Sequence, residues 1–130
     1  MRVNDDYVQC NAEQQLADPT SVFFHWRHVL ELRRQYSGVF IYGQFEMVDR
    51  EHPAVFCYNR IGRTASATIV ANFTEDEQEW LPPQATVDSL KNGTTILTNY
   101  EARRELRGHT LTLRPFESFV VLEQESNYHL

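Results

Sequence analysis

The sequence predicts a mainly β protein, an antiparallel Greek-key β-sandwich of about eight strands preceded by one α-helix. Three observations carry this. One segment alone, Asp18 to Gly38, has a sustained helical period. From Val39 to Leu122 the chain runs through short β-branched and aromatic stretches separated by turn residues. Apolar residues make up 42% of the chain, enough for a core and too much for disorder.

The helix is expected over Pro19 to Tyr36, with Asp18 as N-cap and Pro19 at the first helical position. Val22, Phe23, Trp26, Val29 and Leu30 recur at three- and four-residue steps and form one apolar stripe. His25, His28, Glu31 and Gln35 fall off it. Arg33 and Arg34 oppose the C-terminal dipole, and Ser37-Gly38 is expected to end the helix in a left-handed cap. An isolated helix takes little stability from itself, so the stripe needs a surface to lie on. Residues 1–17 lack a period and read as an irregular arm. Natural domains rarely begin this way unless something holds the arm, which points to a preceding part.

After the helix, Val39 to Tyr42 reads as a short strand ended by Gly43. Gln44 to Asp49 alternates loosely, with Phe45 and Met47 on one side. Ala54 to Arg60 is the next strand, and Ile61-Gly62-Arg63 turns the chain back. Thr64 to Phe73 is long and rich in small and β-branched residues. Its apolar end, Ile69-Val70-Ala71, places it centrally in a sheet. Thr74 to Glu79 is an acidic loop, and the prolines hold Trp80-Leu81-Pro82-Pro83 extended. Ala85 to Leu90 reads as a weak strand and Asn92-Gly93 as a turn. Thr94 to Asn99, Thr110 to Leu113 and Ser118 to Leu122 complete the strands. Residues 125–130 read as a tail.

At 130 residues the chain is one domain or a piece of a larger protein. A net charge of -6 argues against nucleic acid as a partner, because phosphates are repelled. The sequence contains no run of 18 apolar residues and no signal-peptide core, so a cytoplasmic location without a membrane span is expected. Cys10 and Cys57 read as free thiols in a reducing compartment. Asn72-Phe73-Thr74 and Asn92-Gly93-Thr94 match the glycosylation sequon, but read more simply as a strand end and a turn.

A catalytic constellation is not found. Glycine-rich phosphate loops, nucleophile elbows and zinc-spaced cysteines are all missing. His25 and His28 have ligand spacing on a helix, yet no third ligand is implied and solvated histidines are the commoner case. Asp5 and Asp6 are neighbours in an extended arm and point apart. The acidic loop lacks the spaced ligands and central Gly of a calcium loop. Tyr58, Trp80, Tyr100 and Phe116 can stack on sugar rings if exposed, and are more often packing residues. The expectation is therefore no catalytic, cofactor-binding or metal-binding residue.

Several motifs stand in a telling order: MRVNDDY, DPTSV, WRHVLELRRQY, VFIYGQFEMVD, VFCYNR, TIVANFT, ILTNYE and TLTLRPFESFVV. In that order and spacing, over about residues 1–124, the chain resembles the C-terminal part of α-glucosidases of glycoside hydrolase family 13, of the maltase and oligo-1,6-glucosidase branch. The resemblance implies a (β/α)₈ barrel followed by an antiparallel sandwich called domain C. On it, residues 1–38 are an irregular arm and the last barrel helix, residues 39–124 are the sandwich, and residues 125–130 are the tail. A barrel needs ~250 residues, so it is absent here.

The resemblance also implies retaining hydrolysis of terminal α-linked glucose, by an Asp nucleophile and a Glu acid/base. Those residues lie upstream in the family, and none of their motifs occurs in this sequence. The segment is thus expected to be structural, with the barrel as partner through Val22, Trp26, Val29 and Leu30. Two rivals stand beside it: a stand-alone carbohydrate-binding sandwich and an interaction module. Two or more exposed aromatics, spaced for sugar rings on one face, would favour the carbohydrate module.

Overall fold

The computed structural model describes residues 21–103 and 106–124. The chain divides into two compact units, Met1–Tyr36 and Ser37–Leu130.

The first unit contributes helix α1, Val22–Gln35. Its N-cap is Ser21, whose Oγ accepts from the Phe24 amide at 3.4 Å. The helix therefore starts later than expected, and Asp18 and Pro19 lie outside the described residues. Arg33 and Arg34 occupy the last turn, where cations oppose the dipole. The predicted glycine cap is not formed. Tyr36 is the C-cap, and Gly38 sits in a second helical turn without a positive φ.

The second unit is a sandwich with, among the described residues, seven strands and two helices. In chain order these are α2 (Ser37–Phe40), β1 (Gln44–Met47), β2 (Val55–Ile61), β3 (Ala65–Asn72), β4 (Gln78–Trp80), α3 (Gln84–Asn92), β5 (Thr94–Thr98), β6 (Leu111–Leu113) and β7 (Ser118–Gln124). One antiparallel sheet has the order β1-β2-β3-β7-β5, and β4 pairs with β6 in a second sheet. As predicted, β3 is central, with β2 on one side and β7 on the other. Among the described strands, only β1–β2 and β2–β3 are consecutive in the chain and paired. The remaining connections cross between the sheets, as a Greek-key sandwich requires.

The core lies between the two sheets. The larger sheet supplies Val55, Cys57, Val70, Phe119 and Val121, the smaller one Trp80, Leu111 and Leu113, and α3 adds Leu90. These inward residues alternate with outward ones along each strand, the period-two pattern of a sheet with one buried face.

Three segments depart from the sequence reading. Gln78–Trp80, read as the end of the acidic loop and the start of the proline-held stretch, is a short strand, because β6 supplies its pairing partner far along the chain. Val39 to Tyr42 is not a strand. Ser37–Phe40 forms a helical turn with Val39 buried, and the Arg60 guanidinium of β2 donates to the carbonyls of Val39 at 3.3 Å and Phe40 at 3.0 Å. Tertiary capping of those carbonyls overrides β-propensity. Ala85 to Leu90 is helix rather than strand. Thr86, Val87 and Leu90 are its buried residues, a helical spacing, and Pro83 is its N-cap. Asn92-Gly93 accordingly ends a helix and does not turn a hairpin. Gly93 is required by close approach, since a Cβ there would stand 2.4 Å from a Val121 methyl.

Candidate functional site

Each residue considered for chemistry has a structural position. His25 and His28 are exposed on α1. Among the described residues, no group of three or more His, Cys, Asp or Glu side chains is arranged to hold a metal ion. Asp5, Asp6 and Cys10 lie outside the described residues. Cys57 is a buried free thiol, and burial, followed by the nearby Asp49 charge, pushes its pKa up to about 12. So protonated a thiol is no nucleophile. Asn72 of the first sequon is buried. Its amide nitrogen donates to Asp76 O and Arg114 O, and its oxygen accepts from Thr74, so it ties the loop after β3 to the turn between β6 and β7.

The aromatics singled out for sugar stacking are mostly structural. Trp80 is 2% exposed and donates its indole N–H to Asp49 Oδ2 at 3.1 Å. That bond, with the amides of Glu51 and His52, holds the Asp49 carboxyl below its ordinary range. Tyr100 donates to Pro115 O at 2.7 Å and lies under the Arg114 guanidinium, 4.0 Å from the ring centre. Arg114 also grips the fully buried Glu117 carboxylate, 2.6 Å away, and fixes the turn between β6 and β7. Phe116, exposed in that turn, has a φ of 52°.

Among the described residues, an apolar surface stands out in each unit. On α1, Val22 is 65% exposed, Trp26 61% and Leu30 56%, while Val29 is half-buried. A shallow groove runs along Phe23, Trp26 and Leu30, edged by Arg27, Glu31 and Arg34. On the sandwich, an aromatic row crosses the outer face of the large sheet. Phe45 lies 5.0 Å from Tyr58, Tyr58 5.4 Å from Phe56, and Phe56 5.9 Å from Phe73 between ring centres. Of this row only Tyr58 was singled out from sequence. The missed signal was in VFCYNR, which is apolar at successive positions and therefore on both faces of its strand.

No family model matches this chain. Individual relatives do. The trehalose-6-phosphate hydrolase of Bacillus subtilis is 33% identical over 91% of this chain and 20% of its own length. The oligo-1,6-glucosidase of Halalkalibacterium halodurans is 28% identical over 94% of this chain and 21% of its own. The match falls in the C-terminal part of such relatives. This chain corresponds to the C-terminal part of glycoside hydrolase family 13 enzymes. The solved trehalose-6-phosphate hydrolase of Bacillus licheniformis superposes with a TM-score of 0.83 at 25% identity, over 96% of this chain and 22% of that one. The chain thus spans about one fifth of the length of the family 13 relatives it matches, and in them the segment is part of a longer single chain.

Proposed function

We propose that this chain serves as the C-terminal part of an α-glucosidase-type enzyme, one that hydrolyses terminal α-linked glucose. One observation carries the proposal: the match extends over nine tenths of this chain and only one fifth of the relatives. On this reading residues 1–38 are the arm and last helix of a (β/α)₈ barrel, residues 39–124 the sandwich domain and residues 125–130 a tail. The catalytic carboxylates belong to the preceding barrel, and this segment's own contribution is structural. The exposed Val22, Trp26 and Leu30 support contact between α1 and other barrel elements, with Val29 beside them. Covering a large apolar side chain is worth ~1.5–3 kcal/mol, so three or four such residues supply several kcal/mol to the joint structure.

The experiment is co-expression of this chain with the first four fifths of the Bacillus subtilis relative. The expected result is a complex of the two pieces, with α-glucoside hydrolysis above that of the truncated relative alone. Changing Trp26 and Leu30 to Ser is expected to weaken it. Absence of any association or gain in activity would count against the proposal.

A further inference from the structure

The Asn92-Gly93 pair carries a chemistry of its own. Asn92 is the one asparagine of this chain followed by glycine. It is exposed at the end of α3. The backbone nitrogen of the next residue can attack an asparagine side chain, and glycine resists this least because it has no Cβ. A bond forms from Gly93 N to Asn92 Cγ. The side-chain amide leaves as ammonia, taking up the Gly93 amide proton, and a five-membered succinimide remains. Water then opens the ring. Addition at the former side-chain carbonyl gives aspartate. Addition at the main-chain carbonyl gives isoaspartate, whose backbone is longer by a methylene.

Two features of the native structure oppose the first step. The Gly93 N–H donates to Ser89 O at 2.9 Å, so the helix holds the attacking nitrogen. Asn92 is the last helical residue, and ring closure needs a ψ outside the helical well. The last turn is itself pinned. Arg103 donates to Leu90 O at 2.8 Å and to Thr95 Oγ1 at 2.7 Å, which satisfies a carbonyl that a helix end leaves open and ties α3 to β5.

The product does not fit back. A Cβ on Gly93 would stand 2.4 Å from a Val121 methyl, 2.8 Å from Ser89 O and 3.0 Å from Leu122 O. An extra methylene just before Gly93 pushes it into that wall, or draws the buried Leu90 of α3 out of the core.

We infer that Asn92 is a site of spontaneous deamidation, gated by opening of the last turn of α3, and that isoaspartate at this position holds α3 open. The modification turns a reversible local opening into an irreversible one.

The test is incubation of the unsubstituted chain at pH 8 and 37 °C, native and in guanidinium chloride. Isoaspartate at residue 92 is followed by peptide mass mapping and by enzymatic methylation of isoaspartate. It should form readily in denaturant and roughly 10-fold or more slowly in the native chain. Hydrogen exchange of the Gly93 amide reports the same opening, so the two protection factors should agree within roughly threefold. Arg103→Gln should speed modification of the native chain several-fold while keeping the strand spectrum. Chain carrying isoaspartate should lose exchange protection at the Val87 and Leu90 amides. Equal rates in native and denatured chain would overturn the gating, as would protection factors that differ by more than roughly tenfold. Modified chain whose α3 amides stay as protected as the parent's would overturn the claim that α3 is held open. If Arg103→Gln unfolds the sandwich, the two protection factors of the unsubstituted chain decide the matter.

Discussion

Trp80 offers the sharpest test of the packing. It joins the small sheet to the shared core, is 2% exposed, and ties β4 to the Asp49 loop through one hydrogen bond. Trp80→Ala removes the largest side chain of that sheet and should cost ~3–5 kcal/mol, a large share of the ~5–15 kcal/mol that holds a domain. With a mid-range urea slope of ~2 kcal/mol/M, the midpoint should fall by roughly 1.5–2.5 M. Trp80→Phe keeps most of the volume and loses the bond to a carboxylate, nominally ~1.5–3 kcal/mol. Asp49 keeps two backbone amides and some access to water, so the lower end of that range is expected. The assay is urea unfolding followed by the β-sheet circular dichroism signal. A fall of under roughly 0.5 M for Trp80→Ala would place the indole outside the core and refute the packing of β4 and β6 against the large sheet.

Three further outcomes follow from the same structure. In Cys10→Ser protein the single remaining thiol, Cys57, should not react with an aromatic disulfide at pH 8 until denaturant is added, because burial pushes its pKa to about 12; reaction of the native protein within minutes would contradict this. Asp49 has a lowered pKa, chiefly through the Trp80 bond, so its contribution to stability is complete above ~4 and is lost as pH falls through the folded value. The thermal midpoint of the parent should therefore drop more steeply on acidification than that of Asp49→Asn, and parallel curves would count against it. Purified chain alone should not release chromophore from a chromogenic α-glucoside, since retaining hydrolysis needs two carboxyl groups ~5 Å apart across the bond; turnover surviving repeated purification would count against the structural role.

Much of the fold was legible because the strands announce themselves. Ile69-Val70-Ala71 marked β3 as central, and β2, β5 and β7 fell within a residue or two of the expected limits. The misread segments are those where the decisive partner is distant in sequence. Val39 and Phe40 have strand propensity, and their helical turn is fixed by Arg60, about twenty residues on. The α3 helix was legible in principle. Pro83 stands at its start, and Val87 and Leu90 are three apart, but the segment is short enough to pass for a strand. The apolar stripe of α1 was readable from its period, whereas the aromatic row was not. Phe45, Phe56, Tyr58 and Phe73 come together only once β1, β2 and β3 are paired in register.

The size of the polypeptide that carries this segment in its own cells tests most directly whether it is part of a larger enzyme. Antibody raised against the sandwich should detect, on a denaturing gel, a species roughly five times the 15.3 kDa of this chain, in keeping with its one-fifth share of the relatives. That species should carry the α-glucosidase activity when immunoprecipitated. A sole band near 15.3 kDa, with no associated glucosidase activity, would contradict it.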